Sequence, residues 1–287
     1  MRLGIIGYVN CVCIYPLLLQ LNSTQKHTHI QVHQAKPKQW GWAILSLDVI
    51  GFSSETWFRK HNLQHHMYTN TPWDNHYTGT DPFLVTDPTR QRGWWQKNVL
   101  PYCHPIVFFF GPYVNYVTHF ISILKGHEDL SVGKIFLPVH ILLWIHRFGF
   151  SHGFSLALTT HGIIGLYYFT LALVNHNAEH TLDVRSRNKA LDWGEAQLHV
   201  SADWAVNSSF MWSIIYLWLN FHTVHHLFPR VDFSHHPAIQ QILVKTCKDF
   251  NIKYKHGNLF TLWLEMVRNF GHPMSPFEMV YVYGGGL

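Results

Sequence analysis

The sequence predicts a mostly α-helical integral membrane protein whose membrane helices carry a cytoplasmic helical cap. The first observation is composition: of 287 residues, 47% are hydrophobic and 13% are charged, whereas about 25% are charged in soluble domains. The second is that apolar residues form long runs, without the alternation or Asn-Gly turns of β-hairpins. The third is the presence of 24 histidines, which predicts a histidine-rich polar face on the cap.

Five apolar stretches approach the roughly 20 residues that a membrane-spanning helix needs. Residues 3–21 predict a first span, and residues 135–150 and 153–174 predict two spans joined by a very short loop. Residues 100–124 contain three prolines, and residues 205–221 contain Asn and Ser. These last two stretches are therefore predicted to lie in the membrane interface.

The polar C-terminal region contains one further predicted helix. From His235 onward, apolar residues recur at helical spacing, as in Ile239, Ile242, Leu243 and Cys247. This pattern predicts an amphipathic helix folded back on the polar side.

Charge and cysteine usage restrict the partners and the compartment. The formal net charge is +5, but Lys and Arg are scattered, and the nearest approach to a cluster is Arg185, Arg187 and Lys189. Nucleic acid is therefore not a predicted partner, and in a membrane protein such charges mark the cytoplasmic side. The four cysteines form no CxxC motif, which predicts a reducing compartment without structural disulfides.

Three tight histidine groups carry the functional prediction. Residues three or four apart share one face of a helix, so the imidazoles of each group can point toward a common place. Imidazole binds Fe, Zn, Cu and Ni, and eight imidazoles exceed what one tetrahedral zinc uses. They suit two metal ions with open positions for oxygen. The groups are His61, His65 and His66; His176 and His180; and His222, His225 and His226.

Isolated histidines have a simpler interpretation, because a single histidine in a membrane helix is usually packed or hydrogen bonded. His119, His140, His161 and His199 are interpreted in this way.

A shared metal site also constrains the topology. The three groups must lie on one side of the membrane, so the chain crosses an even number of times between them. The pair of spans at 135–150 and 153–174 satisfies this, if residues 100–124 and 205–221 do not cross. The three groups then lie on the same side as the basic residues near them, which marks that side as cytoplasmic. These basic residues are Arg59, Lys60, Arg90, Arg92, Lys97, Arg185, Arg187 and Lys189.

These motifs resemble those of the membrane fatty acid desaturases. Residues 51–70, GFSSETWFRKHNLQHHMYTN, are similar to the second histidine box of that family, and residues 220–229, NFHTVHHLFP, resemble the third. The ending His-His-Leu-Phe-Pro, residues 201–204 (SADW) and His235-His236-Pro237 are similar to the front-end, linoleoyl-CoA type branch. The resemblance covers roughly residues 43–273.

Two features depart from the family pattern. The third box begins with His222, where the front-end branch usually has Gln. The first box, His-Asp-x-x-His, is expected about 30 residues before the second, where His29 and His33 have the spacing but lack the Asp. In the family, two membrane spans precede the first box, whereas the residues before His29 are enough for one span. Either these histidines form a diverged first box, or the N-terminus is truncated or misassembled.

The resemblance implies a non-haem centre of two Fe ions, with O₂ as co-substrate, that introduces a double bond into a fatty acyl-CoA or acyl-lipid. It implies a separate electron donor, cytochrome b5 or a ferredoxin, and a multi-pass membrane protein, in the endoplasmic reticulum if eukaryotic. Asn70, Glu179 and Asp203 are candidates to orient imidazole N–H groups. For Asn70 and Asp203, capping of a helix is an equally open alternative. The implied metal ligands are His61, His65, His66, His176, His180, His222, His225 and His226, with His29 and His33 conditional on the first box.

Other functions remain open on the sequence. An acyl-chain or lipid hydroxylase could use the same diiron ligands, and an inactive truncated homologue would have an incomplete site. From different classes, a bis-His haem electron carrier could use His140 and His161, and a metal transporter would place its ligands at mid-span.

Overall fold

The computed structural model describes residues 54–76, 79–88, 90–127, 130, 133–178, 181 and 192–273. Within these residues the chain is mostly helical, and the only strands are the two-residue β1 (Asp203–Trp204) and β2 (His256–Gly257), which pair in parallel. The prediction of a mostly helical protein is confirmed. The predicted span at residues 3–21 lies outside the described residues.

The described helices vary from single turns to 28 residues. Ser54–Trp57 (α1) leads into a π-helical segment at Phe58–His65, and short 3-10 turns lie at Leu100–Cys103, Leu219–Phe221 and Phe233–His235. The remaining helices are α2 (His66–Tyr68), α3 (Trp94–Asn98), α4 (His104–Leu124), α5 (Gly133–Phe148), α6 (Phe150–Asn177), α7 (Trp193–Val200), α8 (Phe210–Ile215), α9 (His222–Leu227), α10 (His236–Asp249) and α11 (Leu259–Gly271).

The chain divides into two compact units, one comprising residues 1–59 and 108–166 and the other residues 60–107 and 167–287. In the first unit, α5 and α6 form a hairpin linked by Gly149, whose φ is +78°. A Cβ on Gly153 would lie 2.3 Å from the Trp144 carbonyl oxygen. Only glycine therefore allows the two helices to approach this closely near the turn.

Two helical stretches are long and apolar enough to cross a membrane, namely Leu100–Leu124 and Phe150–Asn177. The second includes the predicted span at 153–174. The first was expected to lie in the interface because of its prolines, yet from His104 it continues as one helix through Pro112. Its interfacial placement remains a prediction.

Residues 205–221 do not form one continuous helix. Only Phe210–Ile215 is α-helical, and Leu217 and Trp218 then both adopt left-handed backbone conformations with φ of 54° and 58°. The Trp218 side chain is buried with Ile214 and Phe221. A stretch broken in this way cannot satisfy its backbone groups in lipid as a spanning helix does.

The second unit is held together by buried polar contacts as well as by apolar packing. The Arg92 guanidinium donates to the carbonyls of Asn269 and Phe270, at the C-terminal end of α11, and to that of Val85. The last carbonyls of a helix have no backbone partner within that helix. The Arg92 guanidinium supplies hydrogen bonds to those of Asn269 and Phe270. The helix predicted from His235 onward is present as α10, in which Cys247 is buried but Ile242 is 66% exposed.

Candidate metal centre

The histidines of the second box, His61, His65 and His66, lie on the π-helical segment Phe58–His65 and at the start of α2. In a π-helix the backbone bonds join residues five apart, and such segments are frequent at functional sites. As a result the Nε2 atoms of His61 and His66 lie 3.1 Å apart, although five residues separate them. The α-helical spacing assumed from the sequence pairs His61 with His65, so the local geometry here differs from that expectation.

Seven of the eight predicted histidines come together in two groups. The first group contains His65, His176, His222 and His226, and the second contains His61, His66 and His225. In each group the ligand atoms lie within 4.8 Å of one another, and all seven residues are at most 5% exposed.

Each His-His doublet contributes one imidazole to each group. His65 and His226 belong to the first group, and His66 and His225 belong to the second. Neighbouring residues on a helix point in directions about 100° apart, so a doublet can serve two adjacent metal positions. The expectation that His222, His225 and His226 point toward one place is therefore corrected: His225 points to the second group.

Hydrogen bonds fix the tautomers of three imidazoles in the first group. The Nδ1 atom of His65 lies 2.9 Å from the Asp74 carboxylate, and that of His176 lies 2.8 Å from the Val200 carbonyl oxygen. The Nδ1 atom of His226 lies 2.9 Å from Oε1 of Gln197. All three partners are acceptors, so each Nδ1 carries the proton and each Nε2 presents a lone pair.

The Nε2 atoms of this group face one another. The Nε2 atom of His222 lies 2.8 Å from that of His176 and 3.2 Å from that of His226. Burial first, and then the neighbouring imidazoles, hold the pKa of His222 and that of His226 well below the usual value. Neutral imidazoles with converging lone pairs are the form that binds a metal ion. The donor set therefore fits a cation.

The Asp74 carboxylate is fully buried and remains ionised. Burial alone would raise the pKa of Asp74, but the adjacent His65 imidazole, which donates to it, holds the pKa well below its usual range. Asp74 and Gln197 were not identified from the sequence. Asp74 is nine residues from His65, and Gln197 is 29 residues from His226. Neither separation places two residues on the same face of a helix next to each other, so the sequence did not indicate these contacts.

Two residues expected to orient imidazoles, Asn70 and Asp203, make hydrogen bonds that connect segments beside the histidines. The Asn70 side chain donates to the carbonyls of His176 and Thr181, at 2.9 and 3.2 Å. Asp203 accepts the Thr223 N–H at 2.7 Å, in the first turn of α9, and a hydrogen bond from the Tyr254 hydroxyl. Burial raises the pKa of Asp203 to about 6. Both contacts hold ligand-bearing segments in position.

Four predicted site residues lie outside the described part of the chain. They are His29 and His33, the conditional first box, together with Glu179 and His180.

Comparison with known proteins identifies relatives of this chain. The fatty acid desaturase family model matches residues 6–258. The chain is 27% identical over 234 residues to the sn-1 linoleoyl-lipid 6-desaturase of Arthrospira platensis, covering 73% of this chain and 62% of that protein. It is 27% identical to the acyl-lipid (8-3)-desaturase of Physcomitrium patens, covering 79% and 51%, respectively. The chain thus spans less than two thirds of the length of these relatives.

The resemblance found in the histidine motifs is confirmed by these matches, which extend well beyond the motifs themselves. Because the family model covers most of its length, the chain belongs to the fatty acid desaturase family.

Proposed function

We propose that this protein is an oxidoreductase that introduces a double bond into a fatty acyl chain, using O₂ and a diiron centre. The observation that carries the proposal is the convergence of seven buried imidazoles into two groups in a member of the fatty acid desaturase family. The relatives are acyl-lipid desaturases by name, which favours an acyl-lipid or acyl-CoA substrate.

In this proposal each histidine group holds one iron ion. The first ion is bound by His65, His176, His222 and His226, and the second by His61, His66 and His225. His180 is proposed as a further ligand, and His29 and His33 would contribute if they act as the first box. Asp74, Gln197 and the Val200 carbonyl keep the imidazoles in the ligand tautomer.

Redox metal ions are needed because no amino acid side chain can remove hydrogen from an unactivated alkyl chain. Iron held by these residues would supply the redox chemistry for O₂. Reduction of one O₂ to two waters would take two hydrogens from the acyl chain, two electrons from a carrier and two protons from water. The protein groups fix the imidazoles, keep their Nε2 atoms unprotonated and exclude bulk water by burial.

The electrons are proposed to come from a separate carrier, cytochrome b5 or a ferredoxin. The basic residues near the second histidine box, such as Arg59 and Lys60, would attract an acidic carrier. The protein would be a multi-pass membrane protein with its histidines facing the cytoplasm, in the endoplasmic reticulum of a eukaryotic cell.

The decisive experiment is fatty acid profiling of yeast that expresses the protein. His225→Ala should abolish the unsaturated product while the protein still accumulates, because the second group loses one of three described ligands. His272→Ala, at an exposed histidine outside both groups, should retain activity. Product at the unmodified level in the His225→Ala strain would refute the ligand assignment.

The same assay separates the remaining alternatives. Hydroxy fatty acids in place of unsaturated ones would identify a hydroxylase with the same ligands. A haem carrier would instead give a Soret band and no lipid product; the His140 and His161 rings, 6.0 Å apart in the first unit, would be its axial ligands.

A further inference from the structure

An eighth histidine of the described chain lies beside the seven clustered imidazoles and belongs to none of the three sequence groups. His76 is partly buried, in the loop that follows α2. Its ring centroid lies 4.8 Å from that of His65 and 5.3 Å from that of His61. One ligand atom from each of these three residues lies within 4.8 Å of the other two.

A single carboxylate places His76 and His65 together. Asp74 accepts the backbone N–H of His76 at 2.8 Å through Oδ1, and it accepts from His65 Nδ1 at 2.9 Å through Oδ2. The same Oδ2 also accepts the backbone N–H of Asn70 at 3.0 Å. Because Asp74 is completely buried, these bonds hold the loop and its imidazole in a fixed position relative to the second box.

The number of donors makes this position important. Within the described residues, the group around His61 has three imidazoles, whereas the group around His65 has four. We propose that His76 is a further metal ligand, which binds iron together with His61 on the side of the site that faces His65. This inference rests on the proposed diiron function and extends its ligand set.

The alternative is plain packing, since the His76 and His65 rings are nearly parallel, with an interplanar angle of 22°. Packing alone predicts no change in metal binding when the imidazole is replaced by another polar side chain. The two possibilities therefore differ in a measurement that does not depend on catalytic activity.

The test uses the full chain purified in detergent, with iron or Co²⁺ added to the metal-free protein. His76→Gln and His76→Gly should each weaken the binding of one metal equivalent by about tenfold or more. They should also alter the visible absorption of the Co²⁺ form. Free imidazole should restore binding to the His76→Gly variant, which a structural role would not predict. His272→Gly serves as the matched control.

The outcomes separate this inference from the proposed function. Failure of the unmodified protein to bind two metal ions per chain would overturn both. Normal binding by the unmodified protein, with unchanged affinity and Co²⁺ spectrum in folded His76→Gln, would overturn the role of His76 alone. Circular dichroism of each variant establishes that it is folded.

Discussion

The proposed metal site would depend on side chains that keep imidazole protons away from the Nε2 nitrogens. Asp74 does this for His65, and it also binds the loop at Asn70 and His76. Asp74→Asn would leave an amide that can present its NH₂ group to His65 Nδ1, favouring the wrong tautomer. We expect a 10- to 100-fold loss of iron affinity, the range typical for partners of metal-bound histidines.

Iron titration of the purified variant, followed by competition with a chelator, measures this loss. Asp232→Asn is the matched control, because that carboxylate caps a 3-10 turn by accepting the Ser234 N–H and does not contact the imidazoles. Equal iron affinity in Asp74→Asn and the unmodified protein would contradict the proposed role of Asp74.

At the residue scale, the sequence indicated seven of the histidines that cluster, but not the residues that bond to them. Histidines repeat at short spacings, so His65 and His226 are recognisable as members of a group. Their partners Asp74 and Gln197 come from a loop and from α7, and only the folded chain brings them within 2.9 Å. His76 was missed for the same reason, because its nearness to the site follows from a turn and not from a periodic pattern.

At the element scale, the π-helix at Phe58–His65 sets how the second box is divided between the two groups. Deleting Leu63 would shorten the separation of His61 from His65 and His66 by one residue. Because the π geometry joins residues five apart, the second group should lose its His61–His66 contact. We expect the deletion variant to bind fewer than two iron ions per chain, measured by elemental analysis of the purified protein.

Leu63→Ala is the control for that deletion. The Leu63 side chain is 51% exposed, so removing it should leave both iron content and expression unchanged. Two ions bound by the deletion variant would indicate that the site does not require the π-helical spacing.

Helix type could not be predicted from the sequence, although helix existence could. Residues four apart lie close together in both α- and π-helices, so the spacing of His61 and His65 suits either form. The break in residues 205–221 is different, since its Asn and Ser content indicated a non-spanning stretch. The consecutive left-handed conformations of Leu217 and Trp218 are stabilised by burial of Trp218, which is a tertiary effect.

At the scale of the whole molecule, the histidine cluster constrains the membrane topology. His61 and His176 belong to one cluster of rings through His65, so an even number of crossings must separate them. The helices available between these residues are α4, α5 and α6. We propose that the α5–α6 hairpin supplies two antiparallel crossings, since Trp144 meets Gly153 near its turn and His140 meets His161 farther along.

The hairpin predicts that α4 does not cross, although α4 is long enough to do so. A helix of 28 residues, such as α6, is about 42 Å long and exceeds the roughly 30 Å hydrocarbon core. The 16 residues of α5 reach only about 24 Å. A modest thinning of the bilayer accommodates that difference at low cost, and parity then leaves α4 in the interface.

Cysteine labelling distinguishes the two topologies. In a variant whose four native cysteines are replaced by serine, single cysteines are introduced at the exposed positions Lys125, Ser151 and Asp249. Intact yeast microsomes present their cytoplasmic face to an impermeant maleimide. We expect labelling at Lys125→Cys and Asp249→Cys, and labelling at Ser151→Cys only after detergent is added, because the hairpin turn lies across the membrane.

If α4 crossed in place of α5, Lys125→Cys would be protected together with Ser151→Cys, and the pairing of α5 with α6 as two crossings would be wrong. Retained desaturation by each variant would establish that the labelled molecules are folded.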